Sequence, residues 1–153
     1  FSHLETMPTN MPDAFEAGTL NLPGIIGLNE GVSYIESVGM ENIHNHELAL
    51  TKAFLEGLRS ITGVNIIGKQ DIQDRTAVVS ITIDDMDAAS IAYELESKYH
   101  IMTRVGLHCA PRAHQTLGTY PEGTVRFSLG YANTLEDVDA ALSALHRIVK
   151  NTK

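Results

Sequence analysis

The sequence predicts an α+β domain in which a small, mainly antiparallel sheet is covered on one face by helices. Apolar residues recur at helical spacing near both ends of the chain, and shorter runs typical of strands lie between them. Glycine and proline residues separate these segments. Helices and strands in this order are typical of two packed layers around one core, and 153 residues are enough to build it.

Four long helices are predicted from apolar spacing and from residues that start or stop a helix. The first covers about residues 23–39, and the second covers about residues 41–61. Asp87 is the predicted N-cap of the third helix, and Thr134 with Asp137 has the spacing of a capping box for the fourth. The side chains of this last helix that are predicted to face the core are Leu135, Val138, Leu142, Leu145 and Val149.

Four strands are predicted between these helices. In the last of them, Val125, Phe127 and Leu129 share the face that is expected to meet the helices, because successive side chains of a strand point to opposite faces. Arg126 must then point to the other face. The predicted strands cover residues 64–67, 76–83, 101–105 and 124–129.

The first residues have no clear period and contain two prolines, Pro8 and Pro12. Residues 1–22 are therefore predicted to form an extended arm that precedes a small α+β domain of residues 23–153. The chain opens on Phe1, with neither an initiator methionine nor a basic segment followed by an apolar one. We therefore expect it to begin inside a longer protein.

Composition and charge limit the classes of function. Hydrophobic residues make up 43% of the chain and charged residues 20%, which is ordinary for a soluble globular protein. The formal net charge of -8 argues against a nucleic acid or an anionic membrane as partner, because no basic stripe is present to neutralise phosphates. No apolar run is long enough to span a bilayer. The single cysteine cannot form an internal disulfide, which favours the reducing cytoplasm.

The single cysteine, Cys109, lies in the segment of the chain with the clearest chemical pattern. Pro111 is suited to the first position of a short helix and Gly118 to its end, so Cys109 is expected on a loop just before that helix. The positive end of a helix and nearby basic groups such as Arg104 favour the thiolate, which is the nucleophilic form of cysteine. The alternative is a buried structural cysteine, which the polar and glycine neighbours disfavour.

Two arginines occupy comparable positions on predicted strands. Arg126 points away from the core, and Arg104 lies between Thr103 and Val105 in the same way. Two guanidinium groups on the face of a sheet opposite its helices can bind a carboxylate through paired hydrogen bonds. The alternative is that both are solvated surface residues. His44 and His46 resemble metal ligands, but positions two residues apart on a helix do not face together, so a solvated helix start is preferred.

Several segments together resemble the C-terminal domain of enzymes with the class V aminotransferase fold, a fold-type I pyridoxal-phosphate (PLP) fold. Within this family the similarity is greatest to the cysteine desulfurase and selenocysteine lyase branch, and it extends over about residues 12–149. The segments are Phe15-Glu16-Ala17-Gly18-Thr19-x-Asn21, His46-Glu47, Arg104-x-Gly106-x-His108-Cys109-Ala110-Pro111, Gly123-Thr124-Val125-Arg126-Phe127-Ser128 and Tyr131-x-Asn133-Thr134.

The resemblance implies a role for individual residues. Cys109 would attack the substrate sulfur and carry it as a persulfide, removing sulfur or selenium from cysteine or selenocysteine. Arg126 would bind the substrate α-carboxylate, with Arg104 assisting. Thr19 would reach the cofactor phosphate of the neighbouring subunit in a homodimer, and a sulfur-acceptor protein is a further expected partner. His108 receives no role from the resemblance.

The resemblance also implies a part that this sequence lacks. The family binds PLP through a lysine that follows a histidine in a large domain, and the sequence contains no His-Lys dipeptide. We therefore expect residues 1–22 to be an arm of an absent large domain, and the chain alone to be inactive. The alternatives are a domain of a class V aminotransferase or another PLP lyase, or a separate α+β binding module with a redox-sensitive thiol.

Overall fold

A computed structural model describes residues 6–16 and 18–151 of the chain. The first residues of the predicted arm, Ala17 of the early motif and Lys153 lie outside this described part. Contacts divide the chain into two compact units, with the division between Met40 and Glu41.

The N-terminal unit contains one 3-10 turn, Asp13–Phe15, and helix α1, Leu22–Val38. The side chain of Asn21 caps α1 by accepting a hydrogen bond from the Gly24 N–H at 3.1 Å. The predicted first helix is thus confirmed, and it begins one residue before Pro23. Its apolar side chains are exposed in this unit; they include Ile25, Leu28, Val32 and Ile35.

The boundary between the units differs from the one expected from the sequence. The division at Met40 places α1 together with the preceding residues, whereas the prediction placed it in the domain that contains the sheet. None of the described α1 residues is buried. The division into an arm of residues 1–22, which belongs to a large domain, and a small domain of residues 23–153 stays a prediction.

The C-terminal unit is an antiparallel sheet with helices against it. The strands are β1, Val64–Ile67; β2, Val78–Ile83; β3, Arg104–Gly106; and β4, Thr124–Ser128. The helices are α2, Met40–Arg59; α3, Ala88–Tyr99; α4, Pro111–Leu117; and α5, Leu135–Asn151. The strand order is β1-β2-β4-β3, and all three pairs are antiparallel. The predicted fold class is confirmed.

The core lies between one face of the sheet and helices α2, α3 and α5. Strand side chains at alternate positions reach it, among them Val79, Ile81 and Val125, none of which is exposed to solvent. Phe54 of α2 packs on Phe127 of β4 with ring centroids 5.0 Å apart. The face predicted for Val125 and Phe127 is confirmed, and the opposite face remains free to carry polar side chains.

The predicted capping contacts at the starts of α3 and α5 are present in the structure. The Asp87 carboxylate accepts the Ser90 N–H at 2.9 Å at the start of α3. Before α5, the Thr134 N–H donates to Asp137 at 3.0 Å, and the Asp137 N–H donates to the Thr134 hydroxyl at 3.3 Å. The prediction that Leu135 faces the core is wrong: its side chain is 57% exposed, because α5 turns Val138 and later residues inward instead.

No helix within the described residues is long and apolar enough to cross a membrane.

Candidate functional site

The sheet face opposite the helices carries the two arginines. Arg104 of β3 and Arg126 of β4 are direct partners in the antiparallel pairing, so their side chains leave the sheet on the same side. Arg104 is exposed and Arg126 is half-buried. The Nε of Arg126 is buried without a hydrogen-bond partner among residues 6–16 and 18–151. Two guanidinium groups placed in this way leave donors free for an anion.

This arrangement is electrostatically unfavourable without a ligand. Like charges directly opposite on neighbouring strands repel, and within the described residues no acidic side chain forms a salt bridge with either arginine. A carboxylate bound between the two guanidinium groups would remove this repulsion. The pairing therefore places both predicted carboxylate ligands together, while their role in binding stays a prediction.

Cys109 lies in a tight turn directly after β3. His108 and Cys109 both have left-handed backbone angles, with φ of +49° and +59°, and the Ala110 N–H donates to the Leu107 carbonyl at 2.8 Å across the turn. The thiol is exposed, and α4 begins two residues later at Pro111 and is followed by Gly118 as its C-cap. The predicted loop and short helix are thus confirmed, and the alternative of a buried cysteine is not.

Two consecutive left-handed residues other than glycine are uncommon. Such angles cost an L-residue about 1–2 kcal/mol each, and they persist only where surrounding contacts hold them. Strained backbone of this kind is typical of functional sites. The expectation that the helix start makes Cys109 a thiolate stays a prediction.

His108 links this turn to β4. Its Nε2 lies 3.3 Å from the Oγ1 of Thr124, which is 1% exposed, and its Nδ1 is buried with no partner in the described part of the chain. The His108 ring also lies 5.8 Å from the ring of buried His114, whose Nδ1 is 2.7 Å from the Thr119 hydroxyl. Burial lowers the pKa of His108, and the positive charges of Arg126, His114 and Arg104 lower it further.

Two glycines bring β3 and β4 together beside the site. Gly123 has φ of +78° and precedes Thr124, and a Cβ built on it would overlap the backbone of Gly106, 2.7 Å from its Cα. Gly106 is itself left-handed, with φ of +100°, and pairs with Thr124. Only a residue without a side chain permits this approach. Gly123 therefore permits the strand pairing that places Arg104 opposite Arg126.

The remaining predicted residues lie elsewhere. Thr19 lies in an exposed bend of the N-terminal unit, so its cofactor role stays a prediction. His46 belongs to a structural contact, with its Nε2 2.8 Å from the Asn133 carbonyl oxygen and its ring against Tyr131. Across the described ranges no cluster of His, Cys, Asp or Glu could hold a metal ion.

Sequence reasoning missed the contacts of His108 and the close approach of Gly123. Thr124 was visible only as a polar residue at the start of a strand, and Gly123 only as a turn residue before it. Both depend on how β3 pairs with β4, which no local pattern specifies. The adjacency of His108 to the single cysteine was the one available signal.

The chain is similar to proteins of one family in sequence and in structure. A family model described as aminotransferase class-V matches residues 2–141. A probable cysteine desulfurase of Pyrococcus abyssi is 35% identical over 145 residues, which are 95% of this chain and 35% of the relative. A probable cysteine desulfurase of Methanothermobacter thermautotrophicus is 34% identical over a region that covers 91% of this chain and 34% of the relative's length. The chain thus spans about a third of the length of these curated relatives.

Solved structures give the same similarity. An apo cysteine desulfurase from Thermococcus onnurineus superimposes with a TM-score of 0.84 at 36% identity, covering 92% of this chain and 34% of the other. A cysteine desulfurase from Escherichia coli, solved as an S-sulfonic acid, gives a TM-score of 0.80 at 26% identity, covering 92% of this chain and 33% of the other.

Proposed function

Because the chain belongs to the class-V aminotransferase family, we propose that it is the C-terminal small domain of a PLP-dependent enzyme of the cysteine desulfurase type. The observation that carries this proposal is the placement of an exposed Cys109 on the turn that directly follows β3, the strand that pairs Arg104 with Arg126. The names of the relatives support the same branch. Transamination needs no thiol, so the cysteine disfavours a class V aminotransferase.

In this proposal the chain supplies the substrate side of the active site. Arg126 and Arg104 bind the α-carboxylate of a small amino acid and so orient its side chain. The thiolate of Cys109 attacks the substrate sulfur, a sulfur–sulfur bond forms, and the carbon–sulfur bond breaks. The carbon keeps the electron pair and takes a proton, so cysteine becomes alanine and Cys109 holds a persulfide.

The cofactor would be held by residues outside this sequence. PLP supplies an electron sink when it is bound. The four lysines that the structure describes do not fit a covalent PLP site, because all are exposed and lie on helices or on the loop after β1; they are Lys52, Lys69, Lys98 and Lys150. We therefore assign no step through PLP to residues of this chain, and we expect the chain alone to release no sulfur.

Further features of the whole protein belong to the same proposal. The full-length enzyme would be a cytoplasmic homodimer in which Thr19 reaches the cofactor phosphate of the neighbouring subunit. A sulfur-acceptor protein would take the persulfide sulfur from Cys109, whose exposure supports such a transfer.

The test compares the full-length protein with its Cys109→Ser variant. With L-cysteine as substrate, the wild type should release alanine and sulfide in the presence of a thiol reductant, and Cys109→Ser should lose both. The visible spectrum of bound PLP should be unchanged in the variant, because the thiol does not hold the cofactor. Alanine release by Cys109→Ser at the wild-type rate would mean that Cys109 is not the nucleophile. A full-length protein without a PLP spectrum would favour the separate binding module.

A further inference from the structure

The residue next to the proposed nucleophile contacts the strand that carries the proposed carboxylate ligand. His108 reaches Thr124 across 16 positions of the sequence, with Nε2 and Oγ1 3.3 Å apart. Thr124 is the first residue of β4, and Arg126 is its third. Thr124 is 1% exposed and pairs with Gly106, so its position in the sheet is held by both burial and strand pairing.

We propose that His108 is a positioning residue, which fixes the turn of Cys109 against β4 beside Arg126 through its contact with Thr124. The inference deepens the proposed function and rests on it for the role of Cys109. It adds a residue to which the family resemblance gives no role.

The backbone of the turn needs a contact of this kind. His108 and Cys109 are both left-handed without being glycine, which favours opening of the turn. One hydrogen bond within the turn, from the Ala110 N–H to the Leu107 carbonyl, opposes that opening. The His108–Thr124 contact links this turn to β4, so losing it should free the thiol to move relative to Arg126.

The surroundings of His108 favour the neutral ring. Protonation would place a hydrogen on the buried Nδ1, which has no acceptor among the described residues. Arg104 from β3, Arg126 from β4 and His114 from α4 face the ring, and burial together with these groups lowers the pKa of His108. In the neutral form that leaves Nδ1 bare, Nε2 carries the hydrogen and donates it to the Thr124 hydroxyl.

The pH dependence follows from the direction of this shift. Since the folded-state pKa lies below the unfolded value of about 6.5, the contact is fully present above that pH. It is lost as the pH falls through the lowered pKa, because the unfolded or opened turn binds the proton more readily. We therefore expect acid to weaken the contact that closes the turn against β4.

The first test uses substitutions at Thr124 in the full-length enzyme. Thr124→Val keeps the shape and removes the hydroxyl, and Thr124→Ser is the matched control that keeps it. Thr124→Val should lower kcat for sulfur release about ten- to hundredfold, the cost of misplacing a reacting group, with little change in KM for cysteine. Thr124→Ser should restore kcat to within about twofold. Equal kcat values for wild type and Thr124→Val would overturn the proposal.

The second test does not depend on activity. Hydrogen exchange at the Ala110 amide reports the turn, because this N–H closes it. Its protection should fall in Thr124→Val and in His108→Asn, which tolerates left-handed angles but is too short to reach Thr124. In the wild type, protection should also fall on acidification below pH about 6.5, whereas in His108→Asn this step should be absent. Unchanged protection in both variants would refute the positioning role.

The two tests separate this inference from the proposed function. If protection falls in the variants but the wild-type full-length protein releases no sulfur, the contact is supported and the role of Cys109 is overturned. His108→Gly gives a further check, because glycine removes the left-handed cost along with the ring. Wild-type kcat in His108→Gly would show that only the backbone matters and would contradict a positioning role for the side chain.

Discussion

Replacing Gly123 by alanine should damage the site through the backbone alone. Gly123 stands immediately before β4 with φ of +78°, and an added methyl group would overlap the backbone of Gly106. Backbone atoms cannot rotate aside as a side chain can, so β3 must move away from β4. This movement would break the pairing of Gly106 with Thr124 and separate Arg104 from Arg126.

Gly118 provides a matched control for this substitution. It has φ of +73°, close to that of Gly123, but a Cβ built on it meets no atom within 4 Å. Both changes carry the left-handed cost of alanine, about 1–2 kcal/mol. Both also reduce the freedom of the unfolded chain by the same amount, which cancels in the comparison. The clash with Gly106 adds about 1–3 kcal/mol for Gly123→Ala only.

The measurement is urea unfolding of the 153-residue chain, followed by far-ultraviolet circular dichroism. Gly123→Ala should lower the free energy of unfolding by about 2–5 kcal/mol, and Gly118→Ala by about 1–2 kcal/mol. Equal free energies for the two variants would show that β3 and β4 do not approach as closely as described. The explanation given for the arginine pair would then be wrong.

Two other substitutions test the arginine pair and the start of α5. In the full-length protein, Arg126→Ala should raise KM for cysteine about ten- to hundredfold, since a hydrogen bond to a charged group contributes about 1.5–3 kcal/mol. Arg147 is an exposed arginine of α5, and the control variant Arg147→Ala should leave KM unchanged. In the chain alone, Arg126→Ala should raise the unfolding free energy by about 0.5 kcal/mol because it removes the repulsion with Arg104, and a loss above about 1 kcal/mol would contradict this. Thr134→Ala should lower the unfolding free energy by about 1 kcal/mol. The Thr134 N–H, then Asn133 and the Thr134 hydroxyl, lower the pKa of Asp137. The contribution of this carboxylate to stability is therefore full above pH about 3.9 and is lost as the pH falls through the lowered pKa. A carboxyl titration that places the pKa of Asp137 at or above its ordinary value would refute these contacts.

Local sequence patterns, such as strand alternation and helix caps, predicted much of the fold. The site depends on contacts between residues far apart in the sequence, which such patterns do not specify. Alternation in residues 124–129 placed Val125 and Phe127 inside and Arg126 outside, since a strand's period alone decides this. The helix caps at Asp87 and Thr134 could be predicted from the sequence, because each involves residues within one helical turn.

The failures have a different origin. Leu135 fits the apolar period of α5 but lies at its first position, before the helix meets the core. The left-handed angles at His108 and Cys109 could not be predicted, because only a few per cent of non-glycine residues adopt them and no local pattern marks which ones. They are held by the Ala110–Leu107 hydrogen bond and by the contact with Thr124, and the latter exists only after β3 and β4 have paired.

The opposed arginines also bear on how the protein behaves in ordinary buffers. Repulsion between Arg104 and Arg126 is relieved by any small oxyanion that bridges them, so sulfate or phosphate should raise the melting temperature through binding linkage. The same ions should compete with an amino-acid carboxylate for the pair. Assays in phosphate buffer would then measure an apparent affinity for cysteine weaker than the true one, and a buffer whose anion is bulky or absent is the appropriate choice.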